Sequence, residues 1–202
     1  MSLMRISCKI EYRLHRKSNV KSNRKSNVKS NVKFCVTIFT VRFAKKLIHM
    51  TQGGNEMIYT PLTNKAMRIA YKAHEGQYDT NGIPYIFHPY HVAEQMKDEV
   101  TTCVALLHDV VEDTSVTMRD LEQEFPKEVT EAVRLMTHDE SESYEDYVKK
   151  LKSNEIAKAV KLGDLAHNMD ETRLVGNEKI TEEQLARWRA KYKMAMKILN
   201  EK

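Results

Sequence analysis

Residues 102–114 read Thr-Cys-Val-Ala-Leu-Leu-His-Asp-Val-Val-Glu-Asp-Thr. The run is apolar except where His108 and Asp109 interrupt it and where it ends in two acids. An apolar stretch of this length predicts a buried central helix over 102–111. An unpaired imidazole and carboxylate are costly to bury in such a helix, and a cation ligated by both removes that cost. Glu112 lies four residues after His108, and Asp113 four after Asp109, so one helical turn puts each pair on a common face. Three carboxylates and a histidine then crowd one patch, where like charges raise a pKa unless a metal or substrate cation intervenes. An amphipathic helix with an acidic, solvated end accounts for Glu112 and Asp113 alone. It does not account for His108-Asp109 inside the apolar run.

Working outward, apolar residues recur at spacings of three and four from Thr60 onward. Leu62, Ala66, Ile69, Ala70 and Ala73 form one helix face. Pro89 suits the first turn of a second helix carrying Val92, Ala93 and Met96. Thr117 can cap a helix through Phe125, and Pro126 opens another with Val129, Ala132, Val133 and Met136 inward. Segments 143–151 and 156–168 follow. Thr181 with Gln184 makes a capping box for a last helix bearing Leu185, Trp188, Tyr192, Met196 and Leu199. Turn residues fill the linkers, and a short hairpin near 79–86 is the one β candidate. The expectation is an all-α bundle of about seven or eight helices over 57–202.

Residues 1–56 differ in kind. They hold 13 Lys and Arg against Glu11 and Glu56, so the remainder carries 20 basic and 26 acidic residues. The net charge of +5 therefore joins a basic extension to an acidic domain. Lys17 to Val32 is a four-residue repeat (KSNV, KSNR, KSNV, KSNV) with no periodicity that could bury a core, so disorder is expected there. A basic arm can bind nucleic acid, but no aromatics interleave with these charges, and that function is not expected. Gln52 to Met57 can be encoded with a bacterial ribosome-binding string just ahead of an ATG. The native start is accordingly expected at Met57, and peptides from 17–48 in native cells would refute this. No run of about 18 apolar residues occurs, so no membrane span is expected. Cys8, Cys35 and Cys103 are odd in number and show no metal or disulfide spacing, which fits a reducing, cytoplasmic setting.

Two further pieces carry candidate chemistry. Pro84-Tyr-Ile-Phe-His88-Pro89 puts a histidine at the mouth of a helix, and Lys161-Leu-Gly-Asp164-Leu-Ala-His167-Asn168 puts an acid mid-helix. Alone, His88 serves as well for a cap and Asp164 for a solvated charge. Taken with His108 and Asp109 they make a mixed nitrogen and oxygen set that suits Mn²⁺, Fe²⁺ or Zn²⁺ better than Ca²⁺. Such an ion lowers the pKa of bound water, and Glu112 and Asp113 are placed to orient that water and carry its proton.

These pieces, with Ala73-His-Glu-Gly-Gln77 and Leu106 to Thr114, resemble in order and spacing the hydrolase domain of RelA/SpoT-type alarmone enzymes, within the HD phosphohydrolase superfamily. The resemblance covers nearly all of 62–199. It implies a helical HD domain with one Mn²⁺ on His88, His108, Asp109 and Asp164. It also implies Glu112 and Asp113 as the catalytic acidic pair and Asn168 near the nucleotide, in a reaction that removes pyrophosphate from the 3′ position of (p)ppGpp. The sequence departs from the family where a basic pair usually follows Gly-Gln, since Asp79 and Thr80 stand there. It departs again at Leu165, where the family has Arg, and at Glu140, near a common Lys. Arg189, Tyr192 and Arg173 are candidates to supply the missing substrate contacts. The alternatives are an HD phosphohydrolase acting on another nucleotide or phosphoester, and a non-catalytic nucleotide- or metal-binding regulator. No synthetase domain is read in the sequence.

Overall fold

The computed structural model describes residues 56–139 and 141–201. The repeat at 17–32, the expected start signal before Met57 and the Glu140 position all lie outside them. Nine α-helices and one 3₁₀ turn make up the described fold: α1 Pro61–Ala73, α2 Phe87–Glu94, α3 Glu99–Leu107, α4 Val110–Asp113, α5 Met118–Glu124, α6 Lys127–Met136, α7 Tyr144–Leu151, α8 Glu155–Asn168, the 3₁₀ turn Glu171–Leu174, and α9 Glu182–Asn200. The all-α expectation holds, and α3 and α4 taken as one segment give the expected eight helices. None of the described helices is long and apolar enough to cross a membrane.

α3 is the hub. Every side chain from Thr101 to Leu107 is buried, as a helix that is apolar all round must be. Asp98 starts α3 by accepting a hydrogen bond from the Thr101 amide at 2.8 Å. α3 packs against α1, α2, α6 and α8, and α8 packs in turn against α2, α6, α7 and α9. The amphipathic helices turn their apolar faces to this centre, with Val129, Ala132, Val133 and Met136 on α6 and Tyr147, Val148 and Leu151 on α7. Met57 already belongs to the core. Cys103 is a free, buried thiol whose pKa burial pushes up to about 12.

Local signals work as read. Thr117 with Asp120, and Thr181 with Gln184, form capping boxes. Two details differ from expectation. The central helix is not continuous to 111, because it stops at Leu107 and resumes at Val110. Between them Asp109 sits at φ −100°, ψ −5°, at the edge of the right-handed helical region. The hairpin near 79–86 reduces to one antiparallel bridge between Tyr78 and Pro84. Proline cannot extend the ladder, and the Asp79 carboxylate instead caps the turn through the amides of Asn81 and Ile83.

Candidate metal centre

Because α3 touches both α2 and α8, and these touch each other, three distant sequence segments meet at one point. His88 comes from the first turn of α2, His108 and Asp109 from the break between α3 and α4, and Asp164 from the middle of α8. His88 Nε2 lies 3.2 Å from Asp164 Oδ1 and 3.6 Å from Asp109 Oδ2. His108 Nε2 lies 3.1 Å from Asp109 Oδ2 and 4.0 Å from Asp164 Oδ1. His88, His108 and Asp164 are all buried, and they offer ligand atoms within 4.8 Å of one another, a set that could hold a metal ion. Asp109 borders this trio, with Oδ2 also accepting the Tyr85 hydroxyl at 2.6 Å.

The donor set fits a divalent cation on three counts. First, both imidazoles present Nε2 to the carboxylates. The Nδ1–H of His108 donates to the Ala105 carbonyl at 2.7 Å, which leaves Nε2 buried with no hydrogen-bond partner. Secondly, His88 is held through Nδ1 by Nδ1 of His167 at 2.8 Å, and metal-ligating histidines are commonly steered through the other ring nitrogen in this way. Thirdly, the cluster attracts positive charge. Burial opposes a proton on His108, yet Asp109 and Asp164 lift its pKa to about 9. Burial raises the Asp109 pKa, but His108 and His88 outweigh it and bring it to about 2. Burial likewise works against an ionised Asp164, but Lys161, His88 and His108 hold that carboxyl well below the usual carboxylate range. Asp164 is fixed further by Asn168 Nδ2 on Oδ1 and by the Lys161 ammonium, 2.9 Å from Oδ2.

The trio lies in a cleft of about 490 Å³. Glu112 and Asp113 line it from α4. Glu112 Oε2 accepts the His138 backbone amide at 2.8 Å, so the loop after α6 fixes this carboxylate. Partial desolvation, then the charges of Asp109 and Glu112, raise the pKa of Asp113. Asn168 and Tyr192 also line the cleft, as does Arg173.

Arg189 does not reach the cleft. Its guanidinium is spent on the surface, with Nε and Nη2 on Glu171 and Nη1 on Glu182. Arg173 donates to the His167 carbonyl at 2.9 Å and faces Asp79 at 3.7 Å. Sequence reasoning gave no role to Tyr85, His167, Lys161, Lys191 or Tyr144. The first three stood inside the quoted motifs, and a buried hydroxyl or imidazole beside a ligand was the signal to look for. Nothing in local sequence marks Lys191.

The chain matches the HD domain family over residues 66–174. It is 36% identical over 144 residues to the bifunctional (p)ppGpp synthase/hydrolase SpoT of Escherichia coli K12, covering 60% of this chain and 20% of that protein. It is 34% identical over 96 residues to the GTP pyrophosphokinase rsh of Brucella abortus strain 2308, covering 46% of this chain and 13% of that one. It therefore spans a fifth or less of these relatives. A solved structure described as "A metazoan ortholog of SpoT hydrolyzes ppGpp and plays a role in starvation responses" superposes with a TM-score of 0.60 at 25% identity, covering 71% of this chain and 88% of that one.

Proposed function

The chain belongs to the HD domain family, and from that premise we propose that it is a metal-dependent phosphohydrolase that removes pyrophosphate from the 3′ position of (p)ppGpp, leaving GDP or GTP. The observation that carries this reading is the convergence of the buried His108 Nε2 with His88, Asp109 and Asp164 at the wall of a cleft. SpoT, named as a (p)ppGpp synthase/hydrolase, and the metazoan protein described as hydrolysing ppGpp are both similar to this chain.

His88, His108, Asp109 and Asp164 would hold Mn²⁺, with Fe²⁺ or Zn²⁺ as chemically plausible replacements. Such an ion, when bound, polarises a phosphoryl oxygen and makes hydroxide accessible near neutral pH. Asp113, whose pKa is raised, is suited to take a proton from the attacking water. Glu112, pinned by the His138 amide, orients that water from a fixed position. Asn168 steadies Asp164 and lines the nucleotide's path, with Tyr192 on the facing helix. Water adds its oxygen to phosphorus as Asp113 takes its proton, the bond from phosphorus to the 3′ oxygen breaks, and Asp113 returns that proton to the leaving 3′ oxygen. The reduced Cys103 thiol suits a cytoplasmic enzyme.

The test is pyrophosphate release from ppGpp by the full chain, with Mn²⁺ and with chelator. Metal-dependent release leaving GDP is expected. Absence of release, with Mn²⁺ bound stoichiometrically, would sink the substrate assignment. One observation favours a second reading, a phosphoester with less charge. Six acids line the cleft against three cations, and Asp79 already occupies Arg173. A panel of nucleoside mono- and diphosphates separates the two.

His167 is a positioning residue in this scheme. His167→Ala should weaken Mn²⁺ binding by roughly 10–100-fold, the usual effect of losing a ligand's outer hydrogen-bond partner. Electron paramagnetic resonance titration measures it directly, and His167→Gln should restore part of the loss. Unchanged affinity in the Ala variant would remove His167 from the site.

A further inference from the structure

The cleft's charge is unevenly satisfied. Of its three cations, Lys161 is paired with Asp164 and Arg173 with Asp79. Lys191, on α9 at the cleft mouth, has no carboxylate within ion-pair distance among the described residues. Its ammonium stands 4.1 Å from the centroid of the Tyr144 ring. Lys161 stands 5.3 Å from the centroid of Tyr147, and the two tyrosine rings are 5.9 Å apart on α7. Two ammonium groups thus rest on neighbouring rings of one helix, reached from α8 and α9. Partial desolvation, then the charge of Lys161, lower the Lys191 pKa. An ammonium has three donors, and Lys161 gives one to Asp164.

We propose that Lys191 and Lys161 form a second anion subsite in the cleft, which takes the phosphate group of the substrate that is not cleaved. This rests on the phosphohydrolase reading above. A polyanion entering a cleft lined by six acids needs positive charge beyond a single metal ion, and only Lys191 is uncommitted. The tyrosine ring holds the ammonium in place without neutralising it, because a cation over a π-face keeps its full charge. An anion bridging the two lysines relieves their repulsion and accepts charge-assisted hydrogen bonds from both.

The experiment compares guanosine 3′,5′-bis(diphosphate) with guanosine 3′-diphosphate, which lacks the distal phosphates, in the full chain with Mn²⁺. Lys191→Ala should raise KM for the first roughly five- to tenfold, leave kcat within about twofold, and leave the second substrate unchanged. Lys191→Arg should restore the KM. Equal losses on both substrates would make Lys191 a structural strut between α9 and α7, and no change in KM would overturn the subsite. If the wild type turns over neither nucleotide, the phosphohydrolase assignment has failed. The subsite is then judged by calorimetric titration of inorganic pyrophosphate in the presence of chelator. Binding weakened in Lys191→Ala and restored in Lys191→Arg supports it, whereas equal binding, or none in the wild type, overturns it.

Discussion

His108→Ala is expected to lose the cation and the hydrolysis together. The side chain is 2% exposed, and its Nε2 lies 3.1 Å from the Asp109 carboxylate. Removing it takes away an imidazole that burial and the Ala105 carbonyl have already oriented toward the proposed site. The loss of Mn²⁺ affinity should exceed the roughly 10–100-fold that follows loss of an outer partner. Asp109 and Asp164 then face one another with one imidazole fewer between them, and the Ala105 carbonyl loses its side-chain donor. Metal-free protein should therefore also be less stable, by about 1–3 kcal/mol. Asp109→Ala provides the check should the first variant fold poorly, since its side chain is more accessible. Mn²⁺ titration followed by electron paramagnetic resonance reads the site without needing turnover. If either variant binds Mn²⁺ as the wild type does, that residue is not a ligand.

The second large effect separates metal from chemistry. Glu112→Gln and Asp113→Asn should both retain Mn²⁺ and lose kcat by about 10²–10⁴-fold, the usual contribution of a positioned acid or base. The two should differ in kind. Gln at 112 keeps an acceptor oxygen for the His138 amide, so the loop after α6 stays in place and only the negative charge goes. Asn at 113 removes the carboxyl whose raised pKa suits it to accept a proton. The flank of the pH–rate profile set by that base should be lost in Asp113→Asn and kept in Glu112→Gln. Wild-type kinetics in both variants would return Glu112 and Asp113 to the status of a solvated helix end.

Much of this was legible because burial makes chemistry conspicuous. His108 and Asp109 stand out in an apolar run, three-residue and four-residue spacing located α1, α6 and α9, and Thr117 and Thr181 were legible as the caps of α5 and α9. What local sequence could not supply was long-range pairing. Arg189 reads as a free cation near Tyr192, yet its partners are Glu171, eighteen positions away, and Glu182 two turns back. Lys191 reads as one more surface lysine, and only the packing of α9 on α7 brings it over Tyr144. His167 was visible inside a motif, but its bond to His88 spans 79 positions and follows from the contact of α8 with α2. The break after Leu107 is likewise a compromise of the folded site, invisible to a pattern that favours a continuous helix.

That break limits how far the site can be transplanted. On an uninterrupted helix, neighbouring residues project about 100° apart, and side chains at successive positions do not face each other. Here His108 and Asp109, adjacent at the turn between α3 and α4, stand 3.1 Å apart. Grafting the letters His-Asp onto an ideal helical scaffold would aim the two groups at different neighbours. A protein engineer borrowing this centre must import the interruption along with the residues, and a variant that straightens the helix across Asp109 should disable the centre while every ligand remains in the sequence.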